Sequence, residues 1–189
     1  ERGVKRWTLD AVKKSQAAQG VSVIKVRRDE KMKWSIVSGG WRIDGNTMMD
    51  IGGPARGHAL MKTSGTLFTE GENEGLEVRG TFANCSSGAT PWGTYLTAEE
   101  NIQDYFKRDK TKTSPVEKQF GIGEATVDVE GWSSMYGWEQ HDARYDADPL
   151  PTRNHPNRFG WIVEIDPQDR HTRPVKRTAL GRCRHENAC

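Results

Sequence analysis

The chain has 189 residues, with 28 Lys and Arg against 26 Asp and Glu and a formal net charge of +2, so bulk charge does not build a nucleic-acid surface. It contains no apolar stretch of the ~18 residues that a membrane-spanning helix needs, and Glu1-Arg2-Gly3-Val4-Lys5-Arg6 leads into polar sequence, not a signal-peptide core. Hydrophobic residues make up only 34%, while 20 Gly and 7 Trp suit a β-rich protein with many turns and large aromatic plugs between sheets. Residues 10–18 form a short helix candidate that Thr8 or Asp10 can cap and Gly20 can end. Residues 21–27 alternate apolar and polar side chains, the pattern of a half-buried strand, and 34–37 reads as another strand before a Gly39-Gly40 turn. Residues 45–57 are Gly-rich and read as a surface loop, with a ligand-wrapping loop as the alternative.

Residues 76–84 and 93–99 form the central strand pair, rich in β-branched and aromatic side chains. Turn chemistry lies between them at Ser86-Ser87-Gly88 and again at Pro91-Trp92-Gly93. Beyond Asn101 the chain turns polar, with one or two helical turns over 102–108 and a charged loop over 109–117. In the 136–145 segment His141 and Asp142 could bind a metal or orient a phosphate, but such clusters are more often a hydrogen-bonded surface turn, which is the preferred reading. Strands are expected at 161–166 and 175–180, paired as a hairpin through 166–173. No strict repeat of fixed length is visible.

The most informative stretch is NCSSGATPWGTYLTAEEN, residues 84–101. A strand, a sharp turn and a returning strand bring the thiol of Cys85 and the carboxylates of Glu99 and Glu100 toward one rim. A thiolate suits softer transition metals, and carboxylates suit harder ions such as iron(III), manganese and calcium. On local composition the alternative is a small buried cysteine beside two solvated charges, since a lone Cys without a spaced partner is no zinc signature.

That word resembles the signature of the PhoX-type alkaline phosphatases, secreted bacterial phosphate-ester hydrolases. Further words stand in the same order: Gly20-Val21-Ser22-Val23-Ile24, Gly53-Pro54-Ala55-Arg56-Gly57-His58, NRFGWIVEIDP at 157–167 and PVKRTALGR at 174–182, closing on His185-Glu186. The resemblance covers about residues 8–186. It implies an all-β fold, part of a six-bladed β-propeller with one short helix and long loops, carrying iron and calcium at the mouth of the central channel. By the same resemblance Cys85 is an iron ligand, Glu100 a metal ligand ahead of Glu99, and Glu186 another. These residues would make the catalytic and metal centre, acting on a phosphate ester. Two departures stand out: Ala98 where the family usually has Cys, and Asn187 where it usually has Gly after His-Glu.

A propeller needs roughly four to eight four-stranded blades of about 40–50 residues each. A chain of 189 residues holds only a few of them. Residues 1–189 are therefore expected to form one incomplete propeller domain, an amino-terminal fragment completed by further sequence or by another chain. Exposed blade edges would favour such a partner. The resemblance places the protein in the periplasm or outside the cell. The expected activity is metal-dependent hydrolysis of phosphate monoesters, with the isolated fragment itself inactive. The alternatives are a non-catalytic propeller fragment that binds a partner, a subunit of a larger assembly, and a lactonase-like propeller. With three cysteines, Cys183 and Cys189 could pair and leave Cys85 free, or all three could be reduced.

Overall fold

Hydrogen-bond capping and aromatic burial set the first elements of the chain. In the computed structural model, which describes residues 7–124 and 133–188, helix α1 spans Leu9–Ala18. Thr8 caps it by accepting a hydrogen bond from the Ala11 amide at 3.1 Å, and Val12 and Gln16 form its buried stripe. The capping residue and the stop near Gly20 are those the sequence predicts.

Strands β1 (Val21–Arg28) and β2 (Trp34–Ile43) form an antiparallel two-stranded sheet. The turn is not at Gly39-Gly40. It lies at Asp29, whose carboxylate accepts from the Lys31 and Lys33 amides, both at 2.9 Å. Gly39-Gly40 instead sits in an irregularity within β2, where the register against β1 shifts between Val23 and Lys25. Gly39 has φ +103°, a conformation that side-chain-bearing residues rarely adopt, so the extra residues are absorbed as a bulge and the strand continues. The expected half-burial holds only for Val21 and Val23, and every residue from Ile24 to Ile36 is exposed.

The second sheet has six strands: β3 (Met48–Gly52), β4 (Glu77–Arg79), β5 (Asn84–Ala89), β6 (Tyr95–Glu99), β7 (Ile162–Ile165) and β8 (Val175–Arg177). Their order is β4-β3-β8-β7-β6-β5, with β3 and β8 parallel and every other neighbouring pair antiparallel. The fold is thus all-β, with the sheet architecture of a partial β-propeller, and β7 and β8 pair as the sequence predicts. The Gly-rich stretch read as a loop contains β3 instead, whose Met49 and Ile51 are buried in the core. Two further short helices join the one expected, α2 (Glu70–Asn73) and α3 (Pro115–Gln119). Each begins with a reciprocal cap, Thr69 with Glu72 and Ser114 with Glu117.

Phe82 is the hub of the core. Its fully buried ring packs against Tyr105, Phe106, Trp138, Tyr145 and Phe159, with centroids 4.3–5.9 Å away. The long connections between strands are thereby fastened to the sheet by aromatic contacts, which add specific edge and stacking terms to area burial. Gly80, just before Phe82, has φ +101°, and a Cβ there would lie 2.4 Å from the Gly45 carbonyl oxygen.

Candidate metal centre and adjoining cavity

The turn of the 84–101 word lies later than the sequence suggests. Ser86-Ser87-Gly88 is part of β5, and the reversal occurs at Pro91-Trp92-Gly93, closed by the Thr94 amide donating to Thr90 Oγ1 and the Thr90 amide donating to the Thr94 carbonyl, both 2.9 Å. Pairing of β5 with β6 sets Asn84 opposite Glu99 and shifts register before Ser87. Cys85 therefore rides on a bulge of an edge strand, the kind of local distortion that re-aims a side chain.

Successive residues of a strand face opposite sides, and β6 ends on two glutamates. Glu99 turns inward and is fully buried. Its Oε1 accepts from Lys176 Nζ at 2.6 Å and Thr81 Oγ1 at 2.7 Å, and its Oε2 from the Gly160 and Trp161 amides at 2.9 and 3.2 Å. Both oxygens are thus engaged in the interior, away from the rim where a ligand role was expected. Lys176 is itself fully buried, and burial pushes its ammonium down to about 8 against the opposing pull of Glu99. The ammonium also lies 3.9 Å from the centroid of the Phe159 ring.

Glu100 faces the other way, its amide bonded to the Ala83 carbonyl at 3.0 Å. The Glu100 carboxylate is near enough to the Cys85 thiol to raise its pKa. The terminal His-Glu word reaches the same place, because the Ser86 amide donates to the Glu186 carbonyl oxygen at 2.8 Å. Local desolvation, then the neighbouring carboxylate of Glu100, then the charge of Glu186, hold the exposed Cys85 thiol above its ordinary pKa. Carboxylate charge near the thiol disfavours its ionised form, the kind of strain that a bound cation relieves. The structure therefore bonds the backbones of Glu100 and Glu186 to Ala83 and Ser86, on either side of Cys85, and turns Glu99 into the interior away from them. Among the described residues no group of three or more His, Cys, Asp and Glu side chains is close enough to hold a metal ion alone.

Beside this rim opens a cavity of about 300 Å³ lined by Glu100, Lys118, Phe120, Arg182, Cys183 and Arg184, among others. Arg182 is locked in its wall: Nε donates to the Phe159 carbonyl and Nη2 to the Pro156 carbonyl, both at 2.8 Å. Its guanidinium stacks 4.1 Å over the Phe120 ring, and burial lowers it to about 10. Arg184 pairs with Glu124 at 3.1 Å. Asp104 stands behind Glu100; burial raises its carboxyl, opposed by the Gln103 hydrogen bond and the Arg184 charge and reinforced by Glu100. Sequence reading missed Lys118, Phe120 and Arg184, since nothing in a charged loop marks which charge will face a cavity. Arg182 was visible only as the last letter of a matching word.

His141 and Asp142 serve the fold. His141 Nε2 contacts the Trp7 carbonyl at 2.5 Å, and Asp142 pairs with Arg144 at 2.6 Å and accepts from Gln16 Nε2 at 2.8 Å. Cys183 has a free thiol 3.4 Å from His185 Nδ1, and the possible pairing with Cys189 lies outside the described residues. No described helix is long and apolar enough to cross a membrane.

Comparison with known proteins gives this geometry a setting. The family model for alkaline phosphatase PhoX matches residues 1–189. The solved structure of Pseudomonas fluorescens PhoX in complex with vanadate, a transition state analogue, superposes with a TM-score of 0.81 at 42% sequence identity. That alignment covers 96% of this chain and 30% of that one, so the chain spans under a third of the length of this relative. No curated protein sequence matches. With its whole length inside the family match and its fold superposed on a solved member, the chain belongs to the alkaline phosphatase PhoX family.

Proposed function

We propose that this chain supplies part of the active centre of a metal-dependent phosphate monoesterase that releases inorganic phosphate in the periplasm or outside the cell. The single observation that carries the reading is the bonding of the Glu100 and Glu186 backbones on either side of Cys85, which joins two distant words of the sequence at one edge of the sheet. The vanadate complex of the Pseudomonas fluorescens relative supports a phosphoryl-transfer chemistry for the family site.

In this reading Cys85, Glu100 and Glu186 hold iron and calcium together with ligands from outside these residues. Such cations, when bound, neutralise phosphoryl oxygens and stabilise charge on the attacking and leaving oxygens. The chain's own residues have distinct tasks. Glu100 and Glu186 concentrate negative charge at the rim, and Cys85 adds a thiolate that calcium could not exploit. Lys118 and Arg184 line the neighbouring cavity with positive charge that attracts an anionic ester, while Phe120 and the stacked Arg182 give its organic part a flat wall.

The test is turnover of p-nitrophenyl phosphate by the intact polypeptide, with and without a chelator. Activity that chelation abolishes, and that Glu100→Gln and Glu186→Gln each cut by at least ~100-fold, supports the proposal. Turnover indifferent to chelation contradicts it. A second reading, a propeller segment that binds and does not catalyse, draws on the three donors sharing a rim without closing a cage. Absence of both bound metal and turnover in the intact polypeptide would favour it.

A further inference from the structure

The polar groups buried behind the rim form one connected network. Glu99 Oε1 accepts from Lys176 Nζ at 2.6 Å and from Thr81 Oγ1 at 2.7 Å, and its Oε2 accepts from the Gly160 and Trp161 amides. The Thr81 hydroxyl that donates to Glu99 also accepts from Asn84 Nδ2 at 3.0 Å, and the same nitrogen reaches Thr97 Oγ1 at 3.2 Å. Thr81, Glu99, Lys176 and Thr97 are all buried. Additional polypeptide could only bury them further. A buried chain of hydrogen bonds anchored on an ion pair holds its members rigidly.

Two members of this network immediately precede the rim residues. Cys85 follows Asn84 and Glu100 follows Glu99, and Asn84 stands opposite Glu99 where the bulge of β5 begins. The backbone between Thr81 and Asn84 is strained. Ala83 has φ +54°, in the left-handed region that a residue with a Cβ seldom enters. Its carbonyl accepts from the Glu100 amide at 3.0 Å, and its own amide donates to Gln19 Oε1 at 3.1 Å. Such a conformation persists only where the surroundings over-determine it, and it clusters at ligand clamps and active sites. The single hydroxyl of Thr81 joins the Glu99 half of the network to the Asn84 half. We infer that Thr81 is a positioning residue of the rim: its hydroxyl ties Asn84 to the Glu99–Lys176 pair and thereby fixes the backbone that carries Cys85 and Glu100. The inference rests on the rim being the metal centre of the proposed function. Partners that orient metal ligands from behind in this way typically change metal affinity about 10–100-fold when removed.

Amide hydrogen exchange and iron release to a chelator, both measured on the intact polypeptide, test this. Thr81→Val nearly keeps the shape of the side chain and removes the hydroxyl. It is expected to speed exchange of the Glu100 and Ser86 amides at least ~tenfold and iron loss at least ~tenfold, while the Ile51 amide of β3 keeps its wild-type rate. Thr81→Ser restores the hydroxyl and is expected to return both rates to near wild type. Asn84→Ala breaks the same bridge from a half-buried position, and it carries the test if Thr81→Val does not fold. Unchanged exchange at Glu100 and Ser86, equal acceleration at Ile51, or failure of Thr81→Ser to restore the rates would overturn the inference. A wild-type polypeptide with neither iron nor turnover would instead refute the proposed function, and the exchange contrast alone would then decide the role of Thr81.

Discussion

Two carboxylates adjacent in sequence, Glu99 and Glu100, end on opposite sides of the sheet because strand residues alternate. Local sequence could not say which of them faces the rim, since both are glutamates in a short strand flanked by polar residues. The deciding partner, Lys176, comes from β8 and reads as an ordinary surface lysine until the sheet order is known. Removing one member of a buried ion pair leaves the other charge unpaired in the interior. Glu99→Gln is therefore expected to cost about 3–5 kcal/mol in urea unfolding, although its side chain is nearly isosteric. A loss below ~1 kcal/mol would contradict the assigned pairing, since that is the scale of an exposed pair.

His155 offers a pH-dependent case at the same scale. It is fully buried among Phe68, Phe106, Tyr145 and Phe159, with ring centroids 5.0–5.8 Å away, and neither ring nitrogen has a partner among the described residues. Burial first, then the charges of Arg158, Arg144 and Lys176, push its pKa well below 6.5. A depressed imidazole binds its proton more readily in the unfolded chain. The folded state therefore keeps its full stability above the unfolded pKa and loses it as pH falls below about 6.5. The loss approaches about 1.4 kcal/mol per pH unit. His155→Phe should flatten that limb by one proton's worth of slope when unfolding free energies are compared between pH 5 and 7. Parallel slopes in variant and wild type would refute the neutral buried imidazole.

At the level of elements, strands and caps were legible where the local rule had no competitor. Thr8 caps α1 and β7 pairs with β8 as the sequence predicts, because an apolar run and its polar flanks agree there. Glycine misled where it had two uses. Gly39-Gly40 and Ser86-Ser87-Gly88 carry turn chemistry, yet both lie within strands, the first as a bulge and the second along a sheet edge. Only the cross-strand register distinguishes a bulge from a turn, and register is a property of two segments. The alternation of β1 likewise predicted a buried face, which among the described residues extends only to the half-buried Val21 and Val23. Gly80 tests the close approach between the chain at 45 and the start of the core. Its φ of +101° and the 2.4 Å gap from an added Cβ to the Gly45 carbonyl oxygen leave no room for a side chain. Gly80→Ala should destabilise by more than ~1 kcal/mol in thermal or urea unfolding, whereas a stabilising effect would mean the backbone there is relaxed.

For the whole molecule, the long matching words made family and all-β class readable, since several motifs in fixed order constrain a fold more than any single one. The assembly of the rim was not readable from spacing. Cys85 and Glu186 lie far apart in the chain and meet only because the carboxy-terminal segment bonds to β5 at Ser86. Lys118 and Arg184 gained their place at the cavity in the same way, through tertiary contacts. The account rests on that rim holding a cation. Elemental analysis of iron in the purified intact polypeptide measures it most directly. Cys85→Ser and Glu186→Gln are each predicted to lose bound iron while remaining folded, and Leu180→Ser, an exposed substitution outside the rim, is predicted to retain it. Iron content unchanged in Cys85→Ser would contradict the account.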